Sequence, residues 1–186
     1  MKNKYIFKTD KIFVAGAYGM VGSAIKRCLW NKGYNNLLCP SRKELDLLDF
    51  VMVQNWFKDN KPDVVILAAA KVGGIYANSN LPFNFILENL KIQNNLIELA
   101  WEFGVKRLLF LGRSCIYPRN CPQPISEKYL LSSPLESTNE YYAIAKIAGI
   151  KLCESLRKQH QFDSICLMPT NLYGPGDNYH HLNSLQ

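Results

Sequence analysis

The sequence predicts an α/β fold with a doubly wound parallel sheet, on three observations. Short apolar, β-rich runs alternate with stretches of helical spacing along the chain. The run DVVILAAA at 63–70 is continuously apolar, as a strand covered on both faces of a parallel sheet requires. The first strand candidate also runs straight into a glycine-rich turn that opens a helix.

Each element has its own signal. Residues 11–15 (KIFVA) are a β-rich run that ends at a glycine. Residues 20–32 carry apolar side chains at helical spacing and are closed by Gly33. A second short strand is expected at 36–39, stopped by Pro40, and a helix at 48–57. After the 63–70 strand comes a long helix at 83–103, ended by Gly104. Residues 107–111 form the fourth strand, 139–159 another long helix, and 164–168 a strand before Pro169. No internal repeat and no low-complexity linker interrupts this order.

The 186 residues fit one domain, spanning 1–186, and are enough to bury a core. Hydrophobic residues make up 48% and charged residues 20%, a globular and not a disordered composition. The net charge of +7 is scattered, so it reads as a solvated basic surface compatible with small anionic ligands, and not as a nucleic-acid site. None of the six cysteines forms a CxxC pair, and no His/Cys cluster has zinc spacing, so no metal is expected. The polar, basic start of the chain lacks a signal-peptide core, and the longest apolar stretch is far too short to span a membrane. A reducing cytoplasm and no membrane partner are therefore expected.

The turn Gly16-Ala17-Tyr18-Gly19-Met20-Val21-Gly22 is a GxxGxxG between the first strand and the first helix. The chain must reverse sharply there, the backbone must come close to a pyrophosphate, and the helix must pack tightly on the sheet. Glycine serves each need, and the helix N-terminus attracts the anion. The pattern is weak alone and gains from its position; it predicts a Rossmann-type dinucleotide site. The end of the second strand selects the cofactor. An acidic residue there holds the ribose 2′-hydroxyl of NAD, and an arginine accommodates the 2′-phosphate of NADP. Here the segment is Pro40-Ser41-Arg42-Lys43, which favours NADP(H), with Arg42 the better partner because its fork suits phosphate. Glu44 and Asp46 stand close behind, so NAD stays open.

In NEYYAIAKIAG, Tyr142 and Lys146 lie four residues apart and share a helix face. The phenol can give a proton to a carbonyl oxygen as hydride arrives at carbon. A nearby ammonium is expected to favour the phenolate and lower its pKa from about 10 toward neutrality. The lysine can also hydrogen-bond the nicotinamide ribose. YxxxK is common by itself; following a glycine turn and a fourth strand that ends near Ser114-Cys115, it completes a reductase pattern. Tyr141 competes, but its i+4 neighbour is Ala145.

Taken together, GxxGMVG, LAAAKVGGI, the LFLG and SCIYP that flank Arg113, TNEYYAIAKIAGIKLCES and MPTNLYGPGDN resemble the GDP-L-fucose synthase family. These are NADP-dependent epimerase/reductases of the extended short-chain dehydrogenase superfamily. The resemblance runs from about Lys11 to Ser184. It implies a nucleotide-sugar substrate, GDP-4-keto-6-deoxymannose, epimerised at the two carbons flanking the ketone and then reduced. It implies a homodimer through the two long helices. It assigns residues 16–22 to the pyrophosphate, Arg42 to the 2′-phosphate, Tyr142 to the ketone oxygen and Lys146 to the ribose. Cys115 matches the family's acid/base cysteine; carbons beside a ketone are acidic enough for a modest base once the enolate is stabilised. Residues Pro169, Thr170, Asn171 and Leu172 match the segment lining the nicotinamide, with Asn171 able to reach the substrate. Leu111 and Ser114, at the end of the fourth strand, count among the cofactor contacts.

Three departures from the family pattern stand out. Arg113 occupies the place of a serine or threonine hydroxyl that holds the substrate carbonyl. Leu185 stands where an acid/base histidine follows NS, while His180 and His181 are out of register with it. The sequence stops at Gln186, before the family's C-terminal substrate domain, and so reads as the N-terminal portion. An enzyme portion with fucose-synthase chemistry and a catalytically impaired dinucleotide-binding remnant both follow; another sugar-nucleotide epimerase or dehydratase fits less well.

Overall fold

The computed structural model describes residues 5–177; Leu185, Gln186, His180 and His181 lie outside the described residues. Five strands form one parallel sheet in the order β2-β1-β3-β4-β5. They are β1 (Ile12–Ala15), β2 (Leu37–Leu38), β3 (Val64–Leu67), β4 (Arg107–Leu111) and β5 (Ser164–Leu167). The helices are α1 (Met20–Asn31), α2 (Phe50–Asn60), α3 (Ile75–Asn80), α4 (Pro82–Glu102) and α5 (Glu140–His160). The chain passes from β1 outward to β2, then returns to place β3 on the other side of β1. Such a reversal opens a crevice at the carboxyl ends of β1 and β3, where α/β sheets bind ligands.

The two-residue period of a strand sorts the core. Phe13, Ala15, Val65, Leu67, Leu108 and Phe110 face one side and pack with Val53, Phe57, Leu96, Leu99 and Cys153 of α2, α4 and α5. Ile12, Val14, Val64 and Ile66 face the other, against Ile25 and Leu29 of α1. The expectation that the 63–70 strand is covered on both faces holds, since every residue of β3 is buried, as is every residue of β1. β4 and β5 are less completely buried. Leu109 pairs in register with Ile165, and Leu111 with Leu167. All four lie on the α1 side of the sheet, and all are at least partly exposed, Leu167 at 47%.

Local chemistry corrects several boundaries. The second helix starts at Phe50, not 48, because the Asp49 carboxylate accepts from the Met52 N–H and caps it. It runs on to Asn60, where Lys61 turns left-handed (φ 49°). The third strand stops at Leu67, and Ala68–Ala70 leave the sheet toward the crevice. The short α3 carries no apolar period; the Asn78 amide ties it by donating to the carbonyls of Gly73 and Gly74. Pro82 then opens α4 at a position where no N–H is needed. No helix among the described residues is long and apolar enough to cross a membrane.

Candidate active site

At the carboxyl ends of β1 and β3 lies a cleft of about 760 Å3. Its floor is the glycine turn. Gly16 has φ +83°, and any side chain there would strike the backbone of Ala69. Gly22 lies so close beneath Gly16 that a Cβ would overlap the Gly16 carbonyl. These two glycines are needed for the turn to close on itself. Gly19 differs: a Cβ there would meet only the Gly16 oxygen, at 3.5 Å, so its open side is the cleft. Gly19 is also the N-cap of α1, with no side-chain cap and no acidic residue in the first turn. The free N–H groups at that helix end therefore face an open, glycine-lined space, and the site fits an anion such as a pyrophosphate. Tyr18, Met20 and Val21 also line the cleft, whereas the Ala17 side chain is 1% exposed and packs into the core beside Ile12 and Val14.

Arg42 lines the far end of the same cleft, and among the described residues no carboxylate pairs with it. Of the acidic neighbours that left the cofactor open in the sequence, Glu44 does not line the cleft, whereas Asp46 lines it with Arg42. Glu44 accepts from the Ser41 N–H at 2.7 Å, which holds its carboxyl below the usual range, and Asp46 accepts from the Leu48 N–H at 3.0 Å. A guanidinium with free donors suits a 2′-phosphate at this end.

The opposite wall comes from α5 and the turns after β4 and β5. Tyr142 and Lys146 are both buried and both line the cleft. Leu111, Pro169, Thr170 and Leu172 line it beside them. Ser114 and Cys115 sit just beyond the end of β4 in a single 3-10 turn, Ser114–Ile116, which α5 packs against. Asn171 is exposed and accepts a hydrogen bond from Arg113 Nη2 at 3.1 Å. Sequence reasoning did not find Asn89, Lys71 or Glu88 on the β3 side. Asn89, 2% exposed, grips the Lys71 backbone at both its N–H (2.9 Å) and its C=O (3.0 Å), and Lys71 pairs with Glu88 at 3.5 Å. The only signal for them was a helix position whose amide points inward.

The electrostatics overturn one expectation. Tyr142 is not brought toward neutrality; its pKa is pushed up to about 12, first by burial, with Arg113 pulling down and Cys115 pushing up. Lys146 Nζ does not meet the phenol oxygen. It donates to the Leu111 carbonyl at 2.9 Å and lies 5.8 Å from the centre of the Tyr142 ring and 4.8 Å from that of Phe110. Burial pulls its own pKa down to about 8. Burial likewise pushes the Cys115 thiol up, only partly offset by Arg113 and Lys146. At neutral pH the site therefore holds a phenol, a thiol and two cations, a set able to give protons to a developing negative charge.

Fold and site define a dinucleotide-binding α/β domain with a tyrosine–lysine pair on its cleft. Residues 12–185 match the NAD dependent epimerase/dehydratase family, and the chain belongs to it. It is 59% identical over 177 residues to the putative GDP-L-fucose synthase 2 of Arabidopsis thaliana, covering 95% of this chain and 54% of that protein. It is 53% identical over 175 residues to the GDP-L-fucose synthase of Escherichia coli (strain K12), covering 94% and 54%. A solved structure of a GDP-D-glycero-L-gluco-heptose synthase from Campylobacter jejuni, in the presence of NADPH, superposes with a TM-score of 0.93 at 38% identity, covering 96% of this chain and 52% of that one. The chain spans about half the length of the curated relatives it matches.

Proposed function

We propose that this chain is the NADP(H)-binding domain, with one wall of the active site, of an epimerase/reductase that converts GDP-4-keto-6-deoxymannose to GDP-L-fucose. The observation that carries this reading is the meeting of three groups in one cleft at the sheet's switch point. They are the glycine turn with its open helix end, Arg42 free of carboxylates, and the Tyr142–Lys146 pair. Similarity to GDP-L-fucose synthases supports the sugar.

In this reading residues 16–22 hold the pyrophosphate, with Ala17 contributing backbone only, and Arg42 takes the 2′-phosphate. Leu111, Ser114 and residues 169–172 border the nicotinamide, and Lys146 reaches the ribose. Bound NADPH supplies hydride. Tyr142, protonated at neutral pH, gives its proton to the carbonyl oxygen. Cys115 serves the carbons beside the ketone; its raised pKa makes it better at returning a proton than at removing one. Asn171 orients the sugar. The exposed Phe83 of α4, with Tyr141 and Ile144 of α5, offers an apolar surface for a homodimer, and six free thiols suit a reducing cytoplasm.

Arg113 favours a second reading, an impaired nucleotide-binding remnant, because it fills the place of a hydroxyl that would hold the ketone. Loss of a donor at the oxyanion costs on the order of a hundredfold in rate or more. The test is NADPH consumption by the purified chain with the keto sugar, beside deuterium exchange at the carbons flanking the ketone. NADPH binding with no useful turnover is the expected result. Exchange without reduction would show Cys115 acting as a base with the hydride step lost. Full conversion to GDP-L-fucose would remove the impaired reading, and absence of NADPH binding would overturn both.

A further inference from the structure

Gln93 of α4 is 2% exposed and lies outside the cleft, yet it grips the helix that carries the tyrosine–lysine pair. Its Nε2 donates to the Ala145 carbonyl of α5 at 2.6 Å, one residue before Lys146. A carbonyl within an α-helix is normally taken by the N–H four residues on, here that of Gly149, and a second lone pair is left for a side chain. A Cβ at Gly149 would stand 2.9 Å from Gln93 Oε1 and 2.6 Å from Phe110 Cζ, so the missing side chain lets both groups reach α5. Phe110 of β4 has its ring centre 4.8 Å from Lys146 Nζ, and the next residue, Leu111, accepts from that ammonium at 2.9 Å. One continuous contact thus runs from α4 through α5 to the end of β4. Gln93 Oε1 is buried and accepts no hydrogen bond among the described residues. A buried amide with an unpaired acceptor is a poor source of stability. What it supplies is direction, one short bond at one place on α5.

We propose that Gln93 is a positioning residue for Lys146: by fixing α5 at the Ala145 carbonyl, it holds the lysine ammonium on the Leu111 carbonyl and at the cleft wall. Lys146 is 4% exposed and lines the cleft, and the Leu111 carbonyl takes one of its three donors. The height and rotation of α5 above the sheet decide where the other two are aimed. Apolar packing of α4 on α5 tolerates small slides and rotations, because burial has no direction; a hydrogen bond to one named carbonyl does not. The charged and titratable groups that face Lys146 are Tyr142 on α5, and Arg113 and Cys115 from the turn after β4. What α4 brings is the neutral Gln93 amide, which acts on Lys146 through position and not through charge. The inference rests on the reading of Lys146 as the ribose contact and needs no particular sugar.

The test follows the Cε resonance of Lys146 with pH by NMR, in the full chain carrying isotope-labelled lysine; Lys146→Arg assigns the resonance by removing it. In the parent the ammonium is expected to lose its proton at about pH 8, where burial places it. Gln93→Met keeps the length of the side chain and removes the donor. It frees the ammonium to move toward water, and the midpoint should rise by about half a pH unit or more, a roughly threefold change in the ionisation constant. Gln93→Leu also lacks the donor; it should reproduce the rise, and it stands in should Gln93→Met not fold. Asn95→Leu is the control for a structural role alone. Asn95 is another buried amide of α4, and its Nδ2 donates at 2.9 Å to the Leu47 carbonyl in the segment before α2. Its loss should lower the urea midpoint and leave the Lys146 titration in place. An unmoved Lys146 midpoint in the folded Gln93 variants, or an equal rise with Asn95→Leu, would overturn the proposal. The readout involves no nucleotide, so its failure leaves the dinucleotide reading standing. Failure of NADPH to bind would likewise leave this result standing.

Discussion

Gly22 packs directly beneath Gly16, so the first turn of α1 and the end of β1 share a space that no side chain can enter. Gly19, three residues from each, has room on its cleft side. Gly22→Ala is therefore expected to destabilise the fold by roughly 1–3 kcal/mol or more, as overpacking does. Gly19→Ala should leave the urea midpoint nearly unchanged while weakening NADPH binding at least about tenfold, because its methyl group enters the space of the anion. Equal effects of the two substitutions on stability would contradict this division.

Cofactor choice turns on Arg42. Glu44 is bound to the Ser41 backbone, while Arg42 and Asp46 both line the cleft, Asp46 with Oδ1 already bonded to the Leu48 N–H. NADPH should bind more tightly than NADH in titration calorimetry. Arg42→Ala should cost NADPH about tenfold to a hundredfold, the range for a charged hydrogen bond, and leave NADH little changed. Equal affinities for the two cofactors in the parent chain would defeat the NADP assignment.

The two signals differed in how well they could be read from the sequence. The glycine turn was legible because its constraint is local: Gly16 and Gly22 leave no space for a Cβ, and they follow a strand. The parallel sheet was legible for a similar reason, since β1 and β3 are apolar throughout. The partner of Lys146 was not legible. Four-residue spacing says that two side chains share a face, and it cannot say whether an ammonium reaches a hydroxyl or a carbonyl on β4. Nor could it give the burial that raises Tyr142, which depends on elements far away in sequence. The cap at Asp49 and the helix at Ile75–Asn80 were missed because single side chain–backbone bonds produce them, with no periodicity to announce them.

Far from the cleft, at the amino ends of the strands, Lys106 of the loop before β4 meets Asp10 at 2.6 Å. Burial alone would push the Asp10 carboxyl up; the Lys106 hydrogen bond and the Phe7 N–H outweigh it and leave it below its usual value. A depressed carboxyl binds its proton less readily in the folded chain than in the unfolded one. Its contribution is thus full above the unfolded value near pH 4 and is lost as the pH falls through the folded value. Asp10→Asn should cost about 1–3 kcal/mol at pH 7 in urea unfolding. The gap between variant and parent should close as the pH falls through the depressed value of the folded chain. A gap that is constant with pH would rule out the ion pair as its source.

The α1 side of β4 and β5 carries Leu109, Leu111, Ile165 and Leu167 in two registered pairs, all at least partly exposed. Contiguous apolar surface of this kind drives association. The chain alone should self-associate and bind a dye for exposed apolar surface. Leu167→Lys, at a position already 47% exposed, should reduce both without lowering the unfolding midpoint. A monodisperse parent chain at high concentration, with no dye binding, would refute the expectation.

Asn89 gives the far wall of the cleft a property beyond its shape. Past Leu67 the chain has left the sheet and lost its neighbouring strand, yet the Asn89 amide offers Lys71 one acceptor and one donor, as a strand would. A third bond to the Phe85 carbonyl, at 2.7 Å, keeps that amide from rotating. The segment is thereby restrained before any ligand arrives, which lowers the ordering entropy to be lost there on binding. Asn89→Ala is then expected to weaken nucleotide binding by returning freedom to this wall, measured by titration calorimetry.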